Sequence, residues 1–218
     1  MSRASPMRPG WRAPVLALGL LVGLLGALAS PVEAQDGRAR RAAEKTQMGI
    51  ALVRANNPGS AVAYFREAIQ IDPSFERAYV GLGELYRAQG RHSDALEVVR
   101  AGLRRRPRSV PLSLVLAAIV QPSDPAEAAR VLREAARADP SSVAVQRALG
   151  ELARDRGAFA EAIAAYRAVA RLTEGDPAQA DAHAEARRYV AALRLLVRDV
   201  DPPSRCVGTE VRQALCGD

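Results

Sequence analysis

Two histidines and two cysteines are where chemistry would first be sought in this chain. A histidine can move protons or hold a metal near neutral pH, but His92 and His183 lie far apart in the sequence and neither belongs to a recognisable ligand or triad pattern. No HExxH, no GxSxG, no glycine-rich phosphate loop and no clustered set of carboxylates accompanies them. Gly81-Leu82-Gly83 falls inside a helical pattern and lacks the third glycine of a nucleotide fingerprint. Cys206 and Cys216, near the end of the chain, do not have zinc-ligand spacing, and no histidine follows to complete a set. In an exported chain an even pair at short spacing reads as a local disulfide. A loop this short would gain about 2–3 kcal/mol from it in the chain-entropy model; two free thiols are the other reading. No catalytic residue, metal site or cofactor is expected, so function has to come from a surface.

The chain's start supports the exported context. Arg3, Arg8 and Arg12 precede an apolar run from Ala13 to Ala29, and Val32-Glu33-Ala34 offers a small-residue exit before Gln35. A basic front, an apolar middle and a small residue at the exit describe a secretory leader. An uncleaved anchor is the competing reading, but the run is short for a span and its interior glycines weaken it as a permanent helix. Residues 1–34 are therefore expected to be a signal peptide cut near Ala34, giving a periplasmic or secreted protein that touches a membrane only if the leader stays.

The full chain has 31 basic and 24 acidic residues; without the leader's three arginines and Glu33, 28 and 23 remain. Lys45 is the only lysine. This arginine-rich composition reflects coding bias more readily than nucleic-acid binding, and no nucleic-acid partner is expected. The run Arg104-Arg105-Arg106-Pro107-Arg108 falls at a helix end, where cations offset the partial negative charge of the carbonyl terminus. Contact with an anionic surface or polymer is its alternative role.

The elements that would carry a surface are set by a repeat. Ala61, Ala95, Ala128 and Ala162 recur at 34, 33 and 34 residues, each followed four residues on by Phe65, Val99, Leu132 or Tyr166. Pro73, Pro107 and Pro140 follow the first three alanines at one fixed distance, and Pro177 arrives three residues late. Such a period means stacked units rather than one globular centre. Asn57-Pro58, Asp124-Pro125 and Asp176-Pro177 are helix starts, with a capping side chain before a proline that has no donor to lose. Gly90 and Gly157 permit the left-handed turns that end the preceding helices. Each unit is thus helix, tight turn, helix, link. The alanines let paired helices approach closely, and the larger residues fill the space between units. Ala68, Gly102 and Ala135 repeat the small contact; Val169 breaks it, which predicts looser packing in unit four. His92 takes the place that Phe159 has in unit four and is expected in an aromatic packing slot; His183 is expected to be exposed. The face Ala182, Ala186, Val190, Leu193 and Val197 predicts a closing helix, with Arg187, Arg188 and Arg194 toward water, stopped by Asp201-Pro202-Pro203.

Unit two reads Tyr79, Leu82, Gly83, Tyr86, Gly90, Ala95, Val99, Leu103, Pro107. Unit four keeps Leu149, Gly150, Gly157, Ala162 and Tyr166, unit one keeps Met48, Gly49, Leu52, Ala61, Phe65, Ala68 and Pro73, and unit three is degenerate in its uniformly apolar first helix. This pattern resembles the tetratricopeptide repeat family. The resemblance implies an all-α, right-handed α-solenoid of about four helix-turn-helix units plus a C-terminal capping helix. The organisation expected is a linker at 35–42, the array at 43–176, the capping helix at 177–200 and a tail with the disulfide at 201–218. It also implies a non-enzymatic scaffold whose first helices line a concave face that holds a protein or peptide segment, here of an envelope protein. The positions implied are Ile50, Arg54, Arg77, Val80, Glu84, Arg87, Arg147, Glu151 and Arg154, with Thr46, Val53, Ser113, Ala117, Val120 and Gln121 beside them. Glu84–Arg87, Arg147–Glu151 and Glu151–Arg154 are spaced so that they could instead satisfy one another at about 0.2–0.5 kcal/mol each. Thr46 and Ile50 stand where a carboxylate-gripping family member would have a Lys and an Asn, which argues against capture of a chain terminus. Two other functions stay open: an accessory factor for assembly of an envelope or secretion complex, docking through the closing helix or tail, and a binder of anionic cell-wall polymer.

Overall fold

Side chains of short reach start the helices. Asn57 Oδ1 accepts from the Ser60 N–H at 3.2 Å and Asp124 Oδ1 from the Glu127 N–H at 2.9 Å, each beside a proline in the first turn. Ser109 Oγ accepts from the Leu112 N–H at 3.1 Å and Ser142 Oγ from the Val145 N–H at 3.4 Å. These caps satisfy donors that the helix itself leaves open. The computed structural model describes residues 31–200, with side chains over 35–197. The resulting helices are α1 (Pro31–Arg54), α2 (Pro58–Ile71), α3 (Glu76–Ala88), α4 (His92–Arg105), α5 (Val110–Val120), α6 (Pro125–Ala138), α7 (Val143–Asp155), α8 (Phe159–Leu172) and α9 (Ala180–Val200). The leader's apolar run, the stop at Asp201-Pro202-Pro203 and the Cys206–Cys216 pair lie outside the described residues. Among the described residues no helix is long and apolar enough to cross a membrane.

The turns inside units close as the glycines predict. Gly90 and Gly157 hold φ of 72° and 71°, and the next residues' N–H groups reach back to the carbonyls of Tyr86 (2.9 Å) and Ala153 (2.8 Å). Unit one makes the same closure with Asn56 at φ 54°, the Asn57 N–H reaching Leu52 C=O at 2.8 Å; asparagine tolerates this region better than most residues.

Each first helix packs on its own second helix, and each second helix packs on the first helix of the next unit, through to α9 on α8. The four repeating alanines are completely buried, and Phe65, Val99, Leu132 and Tyr166 are 1%, 0%, 2% and 2% exposed. Phe65 shows why. Its ring lies between Gly49 of its own unit and Gly81 of the next, so close that a methyl group added at Gly81 would meet the ring at 2.6 Å. The core is a string of clusters. One joins units one and two to α5, a second joins α5, α6 and α7, and a third joins unit four to α9.

Several expectations need correction. Residues 35–42 are not a linker but the opening turns of α1. Its Gln, Arg and Ala residues favour helix, and Ala42 is buried in a cluster with Ala68 and Ala78. Thr46 is also buried, its hydroxyl donating to Ala42 C=O at 2.8 Å. One side of α1 is open. Where unit two buries Ala78, Leu82 and Leu85, unit one has exposed Glu44, Met48 and Ala51, because no helix precedes them among the described residues. His92 is exposed, whereas Phe159 is half-buried and packs on the core. His183 is half-buried, with Nδ1 2.9 Å from Ala170 C=O and 3.4 Å from Thr173 Oγ1. Arg194 is half-buried rather than turned to water. Unit four is as closely packed as the others: Ile163, Tyr166 and Val169 are all buried. Its longer link is absorbed by Gly175 at φ 75° and by Thr173 Oγ1 donating to Val169 C=O at 2.8 Å. Pro177 opens a 3-10 turn, Pro177–Gln179, rather than the closing helix itself.

Candidate partner-binding face

Curvature follows from which helices touch. The first helices α1, α3, α5 and α7 contact one another in sequence order, and the second helices make no comparable contact. An array held together along one side bends toward that side, so the first helices line the inner face.

On α1, Ile50 is half-buried and Arg54 exposed; on α3, Val80 is half-buried and Arg77, Glu84 and Arg87 are exposed. Ile50 and Val80 rest on the core beneath them. On α7, Glu151 is exposed and Arg147 and Arg154 are half-buried. The pairs Glu84–Arg87, Arg147–Glu151 and Glu151–Arg154 do not form ion pairs. Unit three contributes less than its register suggested. Ala117 and Val120 are buried, because α5 is apolar around most of its surface and is held on several sides, and only Ser113 and Gln121 stay half-exposed.

Unit four's arginines are drawn to the closing helix. Arg154 pairs with Asp155 at 3.0 Å, and its guanidinium stands 5.3 Å from the centre of the Tyr189 ring. Arg147 lines a small recess with Glu185 and Tyr189 of α9. Tyr189 stacks on Tyr166 with ring centres 4.7 Å apart and planes 19° from parallel. This contact had a weak signal in the sequence: Tyr189 is the only aromatic residue in α9. Its partner across the helices could not be read from spacing within one unit.

Tyr166 carries a stored cost. Its hydroxyl oxygen is buried with no hydrogen-bond partner among the described residues. Burial pushes its pKa up to about 12, against the opposing pull of Arg154. The unfolded chain releases the phenol proton near pH 10, so stability is expected to fall from about pH 10 to about 12 as only the unfolded state ionises. Tyr166→Phe is expected to remove that contribution and to raise stability by about 1 kcal/mol at pH 7, since a buried hydroxyl without a partner costs about 1–3 kcal/mol. Urea unfolding of both proteins across this pH range measures it; a less stable phenylalanine variant at pH 7 would show that the oxygen is satisfied after all.

Among the described residues no group of histidine, cysteine, aspartate and glutamate could hold a metal ion.

The tetratricopeptide repeat family model matches residues 46–110 and 120–177. The chain belongs to the tetratricopeptide repeat family. No curated protein matches its sequence. Among solved structures it is similar to TTC0263, a thermophilic tetratricopeptide-repeat protein of Thermus thermophilus, at 19% identity and a TM-score of 0.55, over 80% of this chain and 99% of that one. It is similar to MamA from Desulfovibrio magneticus RS-1 at 19% identity and 0.51, over 74% and 97%. A third likeness is to SycD, a type III secretion translocator chaperone of Yersinia enterocolitica, at 17% identity and 0.52, over 58% and 88%. At these identities the likeness is one of fold: an all-α solenoid of helical repeats. Proteins of this family act as scaffolds for protein–protein interaction and are generally non-catalytic.

Proposed function

We propose that this chain is an exported, non-enzymatic scaffold of the bacterial periplasm that holds a segment of another envelope protein along its inner face. The observation that carries this reading is the row of side chains on α1 and α3. Ile50 and Val80 give apolar footing, while Arg54, Arg77, Glu84 and Arg87 flank them without ion-pair partners among the described residues. Helices fixed by their neighbours present these groups in place, so the receptor loses little conformational freedom on binding. The basic front, apolar run and small-residue exit at Ala34 support export.

A photo-reactive residue at Val80 is expected to cross-link an envelope protein in cells, and the same residue at the exposed Gln70 on α2 is not. The double variant Arg77→Glu, Arg87→Glu is expected to weaken the captured partner about tenfold or more, as reversed charges at an interface do. No protein adduct from Val80, or equal adducts from both positions, would sink this reading. The mature chain is expected to begin at Gln35 in the periplasmic fraction; an intact Met1 in the cytosol would sink the export half.

One observation favours the second reading, docking through the closing helix. Leu195 and Leu196 on α9 are 63% and 49% exposed. Deleting residues 201–218 while substituting both leucines with Ser is expected to leave cross-linking from Val80 intact if the inner face does the binding.

A further inference from the structure

A large groove opens between the second helices of neighbouring units. It runs between α4 and α6, with α5 as its floor, and encloses about 910 Å³. Clefts that hold ligands run to about 300–1,000 Å³, so this one is at the large end. Leu103, Leu116, Val131 and Ala135 form an apolar floor and wall, and Arg100, Arg104, Arg108 and Arg137 stand along the rim.

The four rim arginines make no ion pair among the described residues. The groove's two carboxylates are already engaged. Arg130 bonds Glu127 at 2.6 Å and Glu134 at 2.9 Å. The sequence presents Arg104 to Arg108 as one basic run at a helix end, but the structure divides it. Arg106 turns away and donates from Nε to Ser74 C=O at 3.0 Å, and Arg105 lines a separate recess with Asp72 and Ser74. Arg104 and Arg108 go to the groove. Cations gathered around one cleft repel each other, and an anionic partner relieves that repulsion.

We propose that this outer groove docks an acidic segment of a partner protein, with apolar side chains seated on Leu103, Leu116 and Val131 and carboxylates meeting Arg100, Arg104, Arg108 and Arg137. The apolar floor selects a peptide over a sugar-phosphate or polyphosphate chain, which has nothing to bury there. The groove shares Ser113 with the inner-face register but includes none of the inner-face positions of α1, α3 and α7, so one scaffold would hold two segments at once.

The test is selection of displayed random peptides on the full chain, since acidic segments are a known class of ligand for arginine clusters. Counter-selection uses the double variant Arg104→Gln, Arg108→Gln, whose exposed substitutions leave the core intact and whose thermal melt confirms the fold. Enriched peptides are expected to combine several Asp or Glu with Leu, Ile or Phe. Their Kd is expected to weaken about tenfold or more in the variant, and to weaken with salt, as a charge-led contact should. The variant Arg77→Gln, Arg87→Gln on the inner face leaves this binding unchanged, so failure here and failure of the inner-face reading are separable. Peptides without acidic residues, no peptide dependent on Arg104 and Arg108, or arginine-dependent binding of inorganic polyphosphate tighter than that of the best peptide would each overturn the proposal.

Discussion

Phe65→Ala is expected to lower the unfolding free energy by about 3–5 kcal/mol, the range for removing a buried aromatic side chain. The site is unusually unforgiving. The ring is 1% exposed and fills the slot left by two glycines on different first helices, Gly49 and Gly81. Its loss opens a cavity bounded on two sides by backbone, and backbone helices cannot collapse into it without breaking other contacts. Because stability in such arrays is a sum of units and the interfaces between them, the variant should also uncouple unit one. Urea unfolding followed by circular dichroism should show a separate early step for α1 and α2, where the parent shows one transition. A loss below about 1 kcal/mol with a single transition would mean that the ring is not the seam between units one and two.

Gly102→Val carries the next largest effect, a loss of about 2–3 kcal/mol from overpacking. A Cβ there would stand 2.9 Å from Leu112 Cδ1 and 3.0 Å from Tyr79 Cβ. The leucine could turn aside, but Tyr79 Cβ is fixed to its own helix. Tyr79 is further held by its hydroxyl, which donates to Pro73 C=O at 3.0 Å. Replacing glycine in a helix gains a few tenths of a kcal/mol in propensity, well short of the clash. Thermal unfolding of Gly102→Val beside Gly102→Ala measures the gradient: valine should be clearly the worse. Equal stability of the two would show that α3, α4 and α5 separate more readily than their contacts imply.

The parts of the fold that were legible in the sequence are those where one residue's size decides the packing. Ala61, Ala95, Ala128 and Ala162 could be read as helix-crossing points because nothing larger fits where two backbones meet. Asn57 and Asp124 could be read as caps because their chemistry is local. What depends on a neighbouring helix was less legible. Thr46 occupies a position that repeats as inner-face in unit two, yet its own hydrogen bond to Ala42 and the helix beneath it bury it. His183 looked exposed among alanines, but Ala170 of α8 and Thr173 just past its end lie beside it. Arg154 had the spacing of an inner-face residue and turned instead to Tyr189, on an element whose distance from α7 no periodicity encodes. The outer groove was invisible for the same reason: Arg104 and Arg137 are far apart in sequence, and only the packing of α4 and α6 around α5 lines them up.

The unequal contacts of the two helix layers also bear on how the molecule yields under load. With first helices touching and second helices standing apart, the protein resembles a fan bound along one edge. Its ribs can spread or fold by small rotations that leave the binding edge closed. Changes of pitch are therefore soft and stretching along the bound edge is stiff, so a passenger gripped there could be tightened or released by a force applied to the free edge alone.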